Sequence, residues 1–434
     1  MAPVLEGVSP LRLKSCPAAA LIFLWILVPG LALARDLFVT VITVGGETAS
    51  NSTNSFQSVG NLFDEATVAE LFPTYQQGLT AYSAVLDFRG VITGLSFDAG
   101  ADVFRFEIPA LGIALAFTGG SRDSSVQQFE DWLRGENVGA ANSQNSLTPF
   151  LRALVAQSPV DPVAGNPNSL ESRMFESDLG LGTLGSFLED FSDFSDDTAN
   201  TDDSAKPPNV WKLDFDFGHF AAGPHGGETY DLDIAFGWNV NRRIILMADL
   251  ATMFSVAEGE ALTGLGNFGL GLQGRIAEGW NLALMVRGGV VGSVDVGAVA
   301  AMVTVSLVNH MGFDFSEYRL EMSNMVGFAS SIDGIEIEGI ALNYDGLTNV
   351  VLKNGLSLYR ELGGSRPLRA RLFLTDTQYF GDDLWLEHSD EIGLGLGMAA
   401  SKDGVRTYDP VALDLSYVFG SAYDAFHLKL SFRF

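Results

Sequence analysis

From Trp211 to the end of the chain, apolar and polar residues alternate with a period of two. This pattern constrains the fold more than any other feature. Phe426, Leu428, Leu430, Phe432 and Phe434 alternate with His427, Lys429, Ser431 and Arg433. Trp211, Leu213, Phe215 and Phe217 alternate with Lys212, Asp214 and Asp216, and Tyr230, Leu232, Ile234, Phe236 and Trp238 with Asp231, Asp233, Ala235 and Gly237. The same rhythm recurs at Phe268–Leu272, Tyr318–Met322, Ile335–Glu338, Leu368–Leu374, Ile392–Met398 and Val411–Tyr417. A strand shows successive side chains on opposite faces, so each segment has one apolar and one polar face. Weaker segments at Ile244–Phe254, Leu282–Val290, Val303–Leu307 and Val350–Leu358 bring the expectation to about 12 strands.

A soluble β-sandwich also alternates, but aromatic residues gathered on one phase fit lipid better. The chain is 47% hydrophobic, with 31 Phe and 48 Gly, and beyond its first residues it has no run of about 18 apolar residues. A barrel disperses its apolar residues on the lipid side and satisfies every backbone group between strands. The fold class expected is therefore mainly β: an antiparallel transmembrane β-barrel over residues 210–434, preceded by a small α+β domain. The polar phase supplies the candidate lumen charges Lys212, Asp214, Asp216, Asp231, Asp233, Glu317, Arg319, Glu321, Glu336, Glu338, Arg369, Arg371, Asp414, Lys429 and Arg433. Barrel closure requires the first and last strands to pair. Mostly acidic Lys212, Asp214 and Asp216 would then meet basic His427, Lys429 and Arg433 in a mixed-charge ladder, each pair contributing a few tenths of a kcal/mol and helping register.

Residues 1–34 have the layout of a secretory signal. Arg12 and Lys14 precede the apolar core Leu21–Leu33, and Ala32-Leu33-Ala34 is a small-residue cleavage site before Arg35. Cleavage would remove Cys16, the single cysteine, and with it any disulfide or thiol chemistry. The net charge of −28 argues against nucleic acid as a partner.

Residues 35–188 read as an α+β domain, placed in the periplasm or as a partial plug. Leu37–Thr43 is a strand, Thr48–Ser58 a Ser/Asn-rich loop, and four short strands lie between Ala81 and Thr118 as a meander. Val126, Phe129, Trp132 and Leu133 predict an amphipathic helix over Asp123–Arg134 that packs on the meander. Thr148-Pro149 starts a second helix with Leu147, Phe150, Leu151, Leu154 and Val155 on one face. Pro159, Pro162 and Pro167 stiffen a non-helical connector over Ser158–Asn168, and a short third helix spans Leu170–Glu176. Residues 189–209, crowded with Asp and closed by Pro207-Pro208, read as a solvated linker without the ligand spacing of an EF-hand.

No motif specifies chemistry. Gly264-Leu265-Gly266-Asn267-Phe268-Gly269 matches the dinucleotide fingerprint in letters, but strand alternation continues through it where a helix is needed. His219, His225, His310, His388 and His427 show no metal-ligand spacing, and there is no G-x-S-x-G. No catalytic residue, cofactor or metal is expected, and the chain reads as a non-enzyme.

A last strand of alternating apolar residues ending on Phe434 resembles the closing strand of bacterial outer-membrane β-barrels. The resemblance implies export to the outer membrane of a diderm bacterium, with the C-terminus on the periplasmic side. It also implies partners: outer-membrane lipid, and the barrel assembly machinery reading Phe426, Leu428, Leu430, Phe432 and Phe434. One fold hosts many roles. The function expected is a pore or uptake channel for small polar solutes with weak cation preference. The alternatives are an autotransporter-like surface-display protein, with residues 35–188 as passenger, or a structural barrel without transport.

Overall fold

The computed structural model describes residues 35–136, 143–184, 209–241, 243–332, 340, 342, 344, 346–362, 368–402 and 405–434. The signal segment, nearly all of the acidic linker and the expected strand Ile335–Glu338, with Glu336 and Glu338, lie outside the described residues.

The N-terminal part is a six-stranded antiparallel sheet in the order β2-β1-β3-β4-β5-β6. Its strands are β1 (Phe38–Val44), β2 (Glu47–Thr53), β3 (Tyr82–Phe88), β4 (Val91–Phe97), β5 (Val103–Ile108) and β6 (Ile113–Thr118). Strand β2 replaces the expected loop. Gly45 and Gly46 both have positive φ, +58° and +93°, and form a two-residue hairpin that folds the Ser/Thr/Asn-rich segment back onto β1 as an edge strand. An edge strand has no second neighbour and needs no apolar run.

One face of the sheet carries the helices α1 (Glu65–Leu71), α2 (Arg122–Leu133) and α3 (Ser143–Gln157). Helix α1 escapes the periodicity reading because it spans only two turns. Its start is fixed by Asp64, which accepts from Thr67 N at 2.7 Å. Ser121 caps α2. Helix α3 begins before Thr148 and runs through Pro149. Phe129 and Trp132 of α2 pack tilted against Phe106 of β5 at centroid distances of 5.0 and 5.3 Å, with Phe104, Phe117 and Phe150 completing a buried aromatic core.

The C-terminal part is a closed antiparallel barrel of 12 strands. In order they are β7 (Val210–Ala222), β8 (His225–Asn239), β9 (Ile244–Ala257), β10 (Ala261–Ala277), β11 (Trp280–Ser293) and β12 (Ala298–Phe315). Then follow β13 (Tyr318–Ile332), β14 (Thr348–Leu362), β15 (Leu368–Gly381), β16 (His388–Lys402), β17 (Val405–Gly420) and β18 (Tyr423–Arg433). Strand β18 pairs with β7 to close the wall, and Trp211 and Phe434 exchange backbone hydrogen bonds of 2.8 and 3.0 Å. Trp211, Phe215, Phe217, Phe268, Leu270, Leu394 and Phe426 are among the large apolar residues exposed on the outer face, as a lipid-facing wall requires. Among the described residues no helix is long and apolar enough to cross a membrane.

Barrel and sheet domain are joined by a fourth helix, α4 (Leu170–Gly182), six residues longer than expected at its C-terminal end. It touches β8, β11, β12, β14 and β15, strands on different sides of the wall, and therefore lies inside the lumen.

Candidate functional site: the occupied lumen

The barrel has a near mouth, where β7 begins and β18 ends, and a far mouth at the β7–β8, β11–β12 and β15–β16 connections. The sheet domain rests on the far mouth. Phe56 N donates to Asp295 O at 2.7 Å, and Arg35 O lies 2.9 Å from His225 Nδ1. Trp385 N and Leu386 N of the β15–β16 connection donate to Val155 O and Gly165 O at 3.1 and 3.0 Å. The proline-rich segment from Ser158 is buried in this mouth, with Asp161 against the fully buried Arg89 at 3.5 Å. Leu184, beyond α4, lies beside Gly237, which pairs with Val210 at the near mouth. The chain thus enters the far mouth, descends the lumen as α4 and leaves near the start of β7.

The helix is held by buried polar pairs. Arg287 of β11 donates to Asp178 of α4 at 2.8 Å, to Asp249 of β9 at 2.9 Å and to Asn267 of β10 at 2.6 Å. Ser306 donates to Asp178 at 2.6 Å, Asn349 to Glu171 at 3.2 Å, and Tyr379 to Ser172 at 2.9 Å. Arg173 reaches Asp231 of β8 at 3.6 Å and is braced within the helix by the half-exposed Glu176 at 2.9 Å. Inner-wall glycines make room for the apolar side of α4. A Cβ on Gly289 would stand 2.8 Å from Leu170 Cδ1 and 2.9 Å from Met174 Sδ, and one on Gly327 would overlap the Phe175 ring.

The opposite side of the lumen keeps a polar cavity of about 240 Å3. Of the residues expected to carry lumen charge, Lys212, Asp214, Asp216, Glu321, Arg371, Asp414, Lys429 and Arg433 line it. Asp231 and Asp233 line a smaller adjoining space with α4. Arg319 bonds Glu321 at 2.8 Å, and Arg369 lies 6.0 Å from the Tyr359 ring. Glu317 is instead a half-exposed residue of the β12–β13 turn, 3.5 Å from Arg360, because the strand bends back there and carries it off the wall. Phe426, Leu428, Leu430 and Phe432 lie on β18, and Phe434 follows it with 63% exposure.

At the seam, Lys429 stands opposite Asp216 in register but reaches diagonally to Asp214 at 3.4 Å, while His427 lies 3.3 Å from Asp216. Lys212 joins Asp214 at 2.6 Å. His427 and Lys429 thus meet acids across the seam, whereas Arg433 stands opposite Lys212 in register, basic against basic, so the ladder is mixed in charge over only part of its length. Sequence reasoning passed over Arg287, Asp249 and the α4 residues Glu171, Arg173, Glu176 and Asp178. The available signal was Arg287 itself, the one charge on the inward phase of an otherwise uncharged strand.

No protein-family model matches the chain, and no curated protein matches it. Among solved structures, the translocator domain of the autotransporter NalP from Neisseria meningitidis is similar at 15% identity and TM-score 0.37, covering 60% of this chain and 97% of that one. The β-domain of the Bordetella autotransporter BrkA is similar at 15% identity and TM-score 0.35, covering 52% and 98%. An outer membrane channel from Pseudomonas putida F1 is similar at 11% identity and TM-score 0.36, covering 55% and 100%. Likenesses this remote carry no functional argument.

Proposed function

We propose that the protein is an outer-membrane barrel that holds a small α+β domain over its outer mouth, with the connecting chain threaded through the lumen as a plug. The observation that carries this reading is the path of the chain: sheet domain at the far mouth, α4 in the lumen, β7 starting at the near mouth. Membrane insertion is supported by the closed wall and its apolar outer face. Outer-membrane barrels have short periplasmic turns and longer outer loops. Here the longest connection, from Ile332 to Thr348, is at the far mouth, and near-mouth turns such as Phe315 to Tyr318 are tight. In that orientation residues 35–157 face outward, residues 158–184 form the plug, and the barrel serves as anchor. Recognition of β18 by the assembly machinery, after signal-directed export, belongs to the same proposal.

The polar cavity favours a second reading, a channel for small polar solutes that conducts once α4 withdraws. With Asp231, Asp233 and Asp249 on the inward phase, its charge keeps an acidic excess and a weak cation preference.

Epitope insertion tests the first reading. A tag in the Gly45–Gly46 turn, at the end of the sheet away from the barrel, should be accessible to protease on intact cells. A tag at Ser316 in the β12–β13 turn should become accessible only after the outer membrane is permeabilised. The reverse pattern would put the sheet domain in the periplasm and defeat the proposal.

A further inference from the structure

Asp376 of β15 and Asp390 of β16 stand directly opposite each other across the strand pair. Both are on the outward phase, continuing the rows of exposed Leu372 and Leu374 and of Ile392 and Leu394. Like charges directly opposite on a sheet repel each other, and a lipid-facing row gives no reason for two carboxylates. His388 stands beside them, its Nε2 2.9 Å from Asp376 Oδ1 and 3.7 Å from Asp390 Oδ1. One ligand atom from each residue falls within 4.8 Å of the others. Ligands around a tetrahedral ion at about 2.0–2.2 Å lie roughly 3.3–3.6 Å apart; the two His388 distances fall on either side of that spacing, the shorter being a hydrogen-bond contact with Asp376 that an ion would widen. Asp376 is also oriented by neighbours: it accepts from Asn354 Nδ2 at 3.1 Å and from Gln378 Nε2 at 3.2 Å, and Asn354 in turn accepts from Asn324 at 2.9 Å. Carboxylates that ligate metals are held by such partners.

We propose that Asp376, His388 and Asp390 bind one divalent transition-metal ion of the zinc type, with the fourth position open to water. An imidazole with two carboxylates suits zinc better than calcium or magnesium, which take oxygen ligands alone. The site lies at the root of the hairpin whose tip clasps the end of α3 and the start of the plug. In that tip Trp385 and Leu386 bond Val155 and Gly165, and Asp382 lies 3.5 Å from Arg152. An ion there joins β15 to β16 below the clasp and stiffens it.

Equilibrium dialysis of the folded full chain in detergent against zinc alone, followed by thermal unfolding, tests the site. One zinc per chain should bind and raise the midpoint, a chelator should reverse the rise, and magnesium at the same concentration should give none. His388→Ala and the isosteric Asp390→Asn, each checked for folding by heat-modifiable gel mobility, should weaken zinc binding at least about tenfold, the loss that removal of one ligand or its support produces. Absence of zinc binding, or binding of equal strength in both variants, would overturn the assignment.

Discussion

Arg287 shows at the scale of one residue why the plug stays in the barrel. Its guanidinium is buried between Asp178 of the helix and Asp249 of the wall, with Asn267 taking a third donor. Asp249 and Asn267 hold the guanidinium against the wall, and its bond to Asp178, together with that of Ser306, ties the helix to it at this height. A buried charge stripped of its partner is far more costly than the pair is stabilising. Arg287→Met should therefore destabilise the folded barrel by about 3–5 kcal/mol by leaving two acids unpaired, measured as a fall in the temperature at which its gel mobility shifts. Adding Asp178→Leu and Asp249→Leu should restore most of the loss. An unchanged transition in Arg287→Met would mean that the network does not hold the helix. The sequence marks Arg287 as unusual, but nothing local to it names Asp178, 109 positions away.

At the scale of elements, the wall was legible because alternation is a local property that each strand states for itself. Strands β7, β8 and β15 to β18 can be read directly from their aromatic and Leu rows, and the seam charges from the two strands that must meet. Helix α4 was legible only in its first half. Gly180 and Gly182 weaken a helix in water, but the lumen supplies what the local sequence lacks: Leu181 is buried there, and Gly182 lies against Val308. No local pattern marks Gly289 and Gly327, yet they form the groove in which Leu170, Met174 and Phe175 seat. Gly327→Leu should push Phe175 out of this groove and unseat α4. In planar bilayers that variant should conduct in sustained openings where the unaltered protein is largely silent. Equal conductance in the two would separate the helix from pore closure.

At the scale of the whole molecule, the sheet domain, the threaded segment and the barrel form one continuous path, and that path could not be read in advance. The composition of residues 35–188 states that they form an α+β unit. It is silent on which mouth they cover, because the contacts that decide it, such as Phe56 with Asp295 and Trp385 with Val155, join segments hundreds of positions apart. The central claim is that α4 occupies the lumen between the cap and the near mouth. The most direct measurement is a disulfide between α4 and the inner wall. A Cβ on Gly182 would stand 2.7 Å from Val308 Cβ, close enough for Gly182→Cys with Val308→Cys to join after slight relaxation. With a protease site placed near Thr201, cleavage under oxidising conditions should leave the N-terminal fragment attached to the barrel in a denaturing gel and release it on reduction. The pair Gly182→Cys with Val305→Cys, whose second residue faces outward with 46% exposure, should not link. Release of the fragment from the first pair under oxidising conditions would contradict a threaded lumen.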